Sequence, residues 1–204
     1  MNALTFAALR QLADGRFHSG EAVAKSLGRS RATLCEALKR VPELGVEIFS
    51  VPGRGYRLAQ PLEFIDPTIV ASRLAARGSR VRVEVVDEID STSSQLLARA
   101  MGGAPSGTCL AAEWQSAGRG RRGRAWVAAL GGSLTFSMLW RFERGAGHLA
   151  GLSLAVGVAV ARGMARCGLA RVQVKWPTTS SSTSASSRAS WSRPAATCRG
   201  RAAP

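Results

Sequence analysis

A chain of 204 residues has room for one or two domains, and its 46% apolar content suffices for a core in at least part of it. No run of 18 apolar residues, no leader-like N-terminus and no CxxC pair among Cys35, Cys109, Cys167 and Cys198 is present, so the expectation is no membrane span, no disulfide framework, no zinc site and reduced thiols in the cytoplasm. The net charge of +15 favours polyanionic partners, nucleic acid or nucleotides, although four of the arginines fall after Lys175 in a stretch without acids.

Taken in chain order, residues 1–62 read as one small domain. Leu4, Ala8, Leu9 and Leu12 recur at helical spacing, and Gly15 can end that helix in a left-handed conformation. Ser19 is placed to cap a second helix reaching Leu27. Gly28 allows a tight turn, and Ser30 can cap a third helix reaching about Val41. Two short helices joined by a glycine-containing turn make a helix-turn-helix. Residues 45–51 and 56–58 alternate as strands around Pro52-Gly53-Arg54-Gly55, a hairpin with a basic tip. Three helices and that hairpin form a winged helix-turn-helix. Its second motif helix offers Arg29, Ser30, Arg31, Thr33, Glu36 and Lys39 to a major groove, and Arg54 to the backbone or minor groove. A winged helix used for protein contacts, with merely solvated cations, is the alternative.

A second domain begins after Pro61, where Asp66 can cap a helix with Pro67 at its first position. Residues 81–85 alternate as a strand, and Asp90-Ser91-Thr92-Ser93-Ser94 leads into a helix over 95–101. Strands are expected at 108–114, 134–141 and 171–175, with a long apolar helix over 149–167. The fold class is therefore α+β, with several strands delivering residues to one edge.

Between two of those strands lies Gln115-Ser116-Ala117-Gly118-Arg119-Gly120-Arg121-Arg122-Gly123-Arg124-Ala125-Trp126. Four arginines among three glycines set cationic forks on a backbone free to wrap an anion, so the segment reads as a mobile loop for phosphate or carboxylate. Gly118-x-Gly120-x-x-Gly123 formally matches a dinucleotide fingerprint, with Glu143 twenty residues beyond. No helix opens at the third glycine, however, so a pyrophosphate finds no helix dipole there. Single-stranded nucleic acid is a weaker reading, since Trp114 and Trp126 are the only nearby stacking rings. Taken singly, Ser91-Thr92-Ser93 is no more than an N-cap and Lys175 no more than a strand-end cation. His18 and His148 have no metal-ligand company and read as structural.

Together, Phe17–Glu21, Val51–Tyr56, Asp90-Ser91-Thr92, Gln115, Ala117–Arg124, Trp126 and Val174-Lys175-Trp176-Pro177 resemble, in order and spacing, the bacterial biotin–protein ligases that double as biotin operon repressors. The resemblance implies a catalytic domain of the class II aminoacyl-tRNA synthetase-like type over 63–177. It implies that biotin carboxylate attacks the α-phosphorus of ATP, with Mg²⁺ assisting, and that a lysine of the biotin carboxyl-carrier protein then takes the acyl group. It assigns Ser91, Thr92, Ser93, Gln115, Arg119, Gly120, Arg121 and Lys175 to biotin, and Gly118, Arg122, Gly123 and Arg124 to the adenylate phosphate. Lys175 and Arg121 carry the catalytic charge. Asparagine is usual where Ser93 stands. Operator DNA and a ligand-promoted homodimer complete the implied partners.

The resemblance stops at Pro177. The family continues Asn-Asp-Leu-Leu-Val-Asp and, further on, Lys-Leu-Ala-Gly-Ile-Leu-Val-Glu. Here the chain reads Thr178-Thr179-Ser180-Ser181-Ser182-Thr183 and, further on, Ser186-Ser187-Arg188-Ala189-Ser190-Trp191-Ser192-Arg193. GC-rich codons for the family residues, read one nucleotide late, give that series: AAC followed by G yields ACG, threonine, and CTG followed by G yields TGG, tryptophan. Residues 178–204 hold eight serines, four threonines and six alanines, but no leucine, isoleucine, valine, phenylalanine or acid. Such a segment cannot offset an ordering entropy of roughly 1–2 kcal/mol per residue by burial, so disorder is expected there.

Overall fold

The computed structural model describes residues 2–120, 124–143 and 149–169, together with the backbone of residues 172–175, 179–182 and 188–190. These fall into two units, 1–140 and 141–204.

The first unit opens with helix α1 (Ala3–Gln11), capped by Asn2, whose side chain accepts from the Thr5 N–H. Helices α2 (Gly20–Ser26) and α3 (Arg31–Lys39) start at Ser19 and Ser30, as the sequence predicts. A serine oxygen takes one of the orphan N–H groups of the first turn, which fixes where the helix begins. Phe6, Leu9, Leu12, Leu34, Leu38 and Leu58 are buried in one core. Thr5 is buried with them, its hydroxyl donating to the Ala37 carbonyl at 3.2 Å and tying α1 to α3.

Two boundaries differ from the sequence reading. Leu12, not Gly15, caps α1, and Gly15 adopts φ +70 one turn later. The third helix stops at Lys39 because Pro42 tightens Val41–Leu44 into a 3₁₀ turn that Gly45 closes at φ +74. The first wing strand is accordingly shorter, Ile48–Val51 (β1), and pairs antiparallel with β2 (Gly55–Leu58).

Leu62, Phe64, Trp114 and Leu130 pack against this same core. They belong to the linker and to the three-stranded sheet that follows, so the helix-turn-helix and the sheet share apolar surface. Helix α4 (Pro67–Ala75) is capped by Asp66, with Pro67 at its first position, as expected. The sheet has strand order β3-β4-β5, from Arg82–Ile89, Thr108–Gln115 and Thr135–Leu139. β3 and β4 run parallel and are joined by helix α5 (Thr92–Met101), while β5 is antiparallel to β4. Leu110, Ala111 and Ala112 of the central strand are buried, whereas Phe136 and Met138 of β5 stay about half exposed.

The second unit holds α6 (Leu152–Arg166) and a sheet of order β6-β7-β8, with β6 at Val172–Lys175. Strands β7 (Thr179–Ser182) and β8 (Arg188–Ser190) lie in the tail expected to be disordered. There β7 pairs antiparallel with β6 and with β8. Ladder hydrogen bonds satisfy a serine- and threonine-rich backbone without requiring a buried face. The rest of 178–204 lies outside the described residues.

Candidate functional site

β3 and β4 end side by side, with Ile89 opposite Gln115. α5 starts three residues after β3, so its first N–H groups face the end of β4. Ligands of parallel α/β sheets favour this edge, where helix N-termini and strand carboxyl ends leave unpaired donors.

Gln115 is locked there. Its Oε1 accepts from the Thr92 N–H at 2.7 Å and from the Thr92 hydroxyl at 3.0 Å. Thr92 Oγ1 also lies 2.9 Å from the Ser137 hydroxyl of β5, so one threonine at the start of α5 joins the end of β4 to the middle of β5. With the amide oxygen committed, the Gln115 NH₂ is the group left to donate. Ser91 and Thr92 are both buried polar residues. Ser91 Oγ accepts from the Ser94 N–H at 3.4 Å as the α5 cap and lies 3.1 Å from Ser93 Oγ. Ser93 itself is exposed. The helix therefore begins three residues earlier than its apolar pattern suggests, because capping and the Gln115 bond order its first turn.

Asp90 closes the other side. Its carboxyl sits below its ordinary value, held first by the Ser91 N–H, then by the Gln95 side chain, with the Arg119 charge adding. The Ala117 N–H donates to the Asp90 carbonyl at 2.9 Å, so the arginine loop leaves β4 already tied to the β3 end.

That loop is braced across its base. Trp126 N–H donates to Gly118 O at 2.8 Å, Gly120 N–H to Arg124 O at 2.7 Å, and Arg119 pairs with Ala125 as an antiparallel bridge. The expectation of glycines chosen for free rotation needs correction at two positions. Neither Gly118 nor Gly120 adopts a positive φ. Close approach explains them instead: a Cβ at Gly118 would stand 2.5 Å from the Trp126 carbonyl oxygen, and one at Gly120 would stand 3.0 Å from that of Arg124. Arg119 and Arg124 are exposed, while Gly118 is buried. Arg121, Arg122 and Gly123 lie outside the described residues. Lys175 ends β6 in the second unit, and its side chain is likewise outside them.

On the helix-turn-helix, Arg31, Thr33, Glu36 and Lys39 are all exposed along α3. Two of them are engaged with each other, Lys39 Nζ lying 2.7 Å from Glu36 Oε2. Ser30, read as a groove residue, instead spends its oxygen on the Thr33 N–H at 3.1 Å. His18 Nε2 lies 2.8 Å from Asp14 Oδ1, in keeping with a structural histidine.

Ser137 escaped the sequence reading. The available signal was alternation along 135–139, where Thr135 and Ser137 are polar and Phe136 and Met138 apolar. Nothing local says that such a hydroxyl meets Thr92, 45 residues away.

Fold and site together define a helix-turn-helix module joined to a mixed three-stranded sheet whose edge is lined by hydroxyls and an amide. Residues 5–57 match the model of an HTH domain, and residues 85–179 match that of the Biotin/lipoate A/B protein ligase family. The "Bifunctional ligase/repressor BirA" of Salmonella typhimurium is 43% identical over 166 residues, covering 81% of this chain and 50% of its own length. Its counterpart of the same name in Escherichia coli is 40% identical over 176 residues, covering 86% of this chain and 53% of its own. The chain thus spans about half the length of these curated relatives. A solved biotin protein ligase from Aquifex aeolicus, in complex with biotin and ATP, aligns with a TM-score of 0.41 at 32% identity. It covers 48% of this chain and 40% of that one. Among the described residues no helix is long and apolar enough to cross a membrane.

Proposed function

We propose that this chain descends from a biotin–[biotin carboxyl-carrier protein] ligase that also represses transcription in response to biotin. The observation that carries the reading is the Gln115–Thr92 clamp at the strand ends, at the root of a loop bearing Arg119 and Arg124. A rigid array of hydroxyls and one amide suits the cyclic urea of biotin, which has two N–H donors and one carbonyl acceptor. Ser91, Thr92, Ser93 and the Gln115 amide supply complementary groups, and Gly120 lets the loop backbone approach closely.

Adenylation joins two anions. The biotin carboxylate oxygen attacks the α-phosphorus of ATP, the bond to the β-phosphate oxygen breaks, and pyrophosphate leaves. Arg119, Arg121 and Lys175 would hold the carboxylate against the triphosphate. Gly118, Arg122, Gly123 and Arg124 would cradle its oxygens, absorbing charge as it develops. Among the described residues no cluster of three His, Cys, Asp or Glu could hold a metal. Mg²⁺ would therefore arrive on the nucleotide, bound mainly by phosphate oxygens and water, as it commonly is. In the second step the carrier lysine amine attacks the acyl carbon and AMP departs. Arg31, Thr33 and Arg54 are exposed for operator DNA, and a homodimer would place two such modules on successive half-sites.

Residues from Thr178 onward we read as the product of a one-base frameshift, since the shifted codons reproduce two separate blocks of the tail. The nucleotide sequence around codon 178 decides that point. The purified polypeptide as written should show little or no biotin-dependent AMP incorporation, whereas a version restored to frame at codon 178 should incorporate it. Activity in the first, or none in the second, would overturn the reading. Operator gel shifts with and without biotin plus ATP separate the repressor from a non-enzymatic DNA-binding fragment, because only the former responds to ligand.

A further inference from the structure

The wing carries a cluster of which only Arg54 is among the DNA-facing residues named so far. Phe17 and His18 run antiparallel to β2, His18 and Tyr56 exchanging both backbone hydrogen bonds at 2.9 Å. The pairing is close, since a Cβ at Gly55 would collide with the His18 carbonyl. It sets the Phe17 ring beside two side chains of the hairpin. The guanidinium carbon of Arg54 lies 4.2 Å from the ring centroid, and that of Arg57 lies 5.1 Å away. From β1, Phe49 adds a second ring at 5.2 Å from the same Arg57 carbon. One arginine touches two rings, and one ring touches two arginines.

Residues 48–58 contain both arginines and no acid. Lys39, Arg40, Arg10 and Arg99 each find a carboxylate elsewhere in the molecule. Among the described residues Arg57 does not, and even its buried Nε has no hydrogen-bond partner there. A guanidinium stacks by its faces, and its N–H donors lie in its plane. Two rings within about 5 Å of its carbon remove side-chain freedom without accepting its N–H donors, and a guanidinium held by ring contact can still offer its fork to an anion. The anion matched by a planar fork is a carboxylate or a phosphate, and on a wing beside a recognition helix it is phosphate.

We propose that Arg57 is a phosphate-binding residue of the wing, and that Phe17 and Phe49 are positioning residues holding Arg57 and Arg54 ready for the phosphodiester backbone of duplex DNA. The inference rests on the DNA-binding reading and adds to it a contact on the strand rather than the tip. It also gives Phe17, outside the wing in sequence, a share in affinity.

The test uses the full chain and a fluorescein-labelled duplex of arbitrary sequence, titrated by anisotropy at ionic strengths of roughly 50 to 200 mM, where phosphate contacts dominate the salt response. Arg57→Gln should weaken binding about three- to tenfold and lower the slope of log affinity against log salt by about one. Arg57→Lys keeps the charge but loses the stack, and should fall between. Phe17→Leu and Phe49→Leu should weaken binding with the charge count unchanged, and Phe17→Trp should restore it. Phe49 is already 36% exposed, so its replacement probes positioning at small cost to the fold. An unchanged salt slope in Arg57→Gln, with wild-type binding intact, overturns this inference alone. Absence of any salt-dependent duplex binding by the wild type overturns the DNA-binding reading and the inference together.

Discussion

A methyl in place of one hydroxyl should undo the Gln115 clamp. Thr92 is 3% exposed, and its Oγ1 meets both Gln115 Oε1 and Ser137 Oγ. In Thr92→Val the Ser137 hydroxyl loses this partner and Gln115 Oε1 keeps only the Thr92 backbone N–H, at a cost of about 1–3 kcal/mol. The expected outcome is a lower melting temperature and, in a frame-restored protein, biotin affinity weaker by about tenfold or more, read by calorimetry. Unchanged values in both would mean that Gln115 is not held by this threonine. Gly118→Ala tests the loop base separately. The added methyl meets the Trp126 carbonyl at 2.5 Å, so the Trp126–Gly118 bond must open. Faster tryptic cleavage at Arg119 and Arg124, with the thermal transition little changed, is the expected result. The sequence reading expects Gln115 and the glycines to be site residues. It attributed the glycines to rotation because chemistry of that kind is visible in one dimension, whereas a carbonyl eight residues away is not.

At the level of elements, two of the contacts that join the helix-turn-helix and its linker to the sheet region are open to test. Leu130, 3% exposed, enters the helical core, and its N–H donates to the Leu44 carbonyl at 3.1 Å. Leu130→Ala removes that plug and should cost about 2–5 kcal/mol, seen as a lower urea midpoint for the first unit as a whole. Separate melting of the helix-turn-helix, unaffected by the change, would contradict it. The second contact is Glu113 in β4, which is buried and accepts from the Ile65 N–H of the linker at 2.7 Å. Burial raises its carboxyl above the ordinary 4.5, partly countered by the Ile65 N–H and the Arg10 charge. A raised acid favours the protonated form in the folded protein. Its contribution to stability is therefore greatest below 4.5 and declines as pH rises through the folded-state value. Glu113→Gln keeps the acceptor for Ile65 and should flatten that decline, an effect read from denaturation midpoints across pH 4 to 8. Helix caps at Ser19, Ser30 and Asp66 were legible in the sequence because a cap is a contact over two or three residues. The shared core was not, since Leu130 reads as one leucine among alanines and glycines.

Across the whole molecule, the third strand of the first sheet raises the question of solubility. Phe136 and Met138 on β5, the strand at one edge of the β3-β4-β5 sheet, and Trp140 just past its end are 43%, 49% and 53% exposed at successive alternate positions. Half-exposed aromatic rows beside an open edge invite association. Under the frameshift reading the polypeptide as written should sediment as aggregates at micromolar concentration, and restoration of frame at codon 178 should yield a defined species. A monodisperse preparation of the chain as written would argue against that link between tail and solubility.

Local chemistry along the chain was enough to determine the helix-turn-helix and the α+β class, because caps and periodicity act over a few residues. Tertiary structure alone decided that Thr92, Gln115 and Ser137 form one hydrogen-bonded set, that Gly118 is required by a neighbouring carbonyl, and that Arg57 rests on Phe17 and Phe49. Each of these depends on strands and helices far apart in sequence arriving within a few ångströms of one another, a condition set by packing and strand register rather than by any residue's neighbours along the chain.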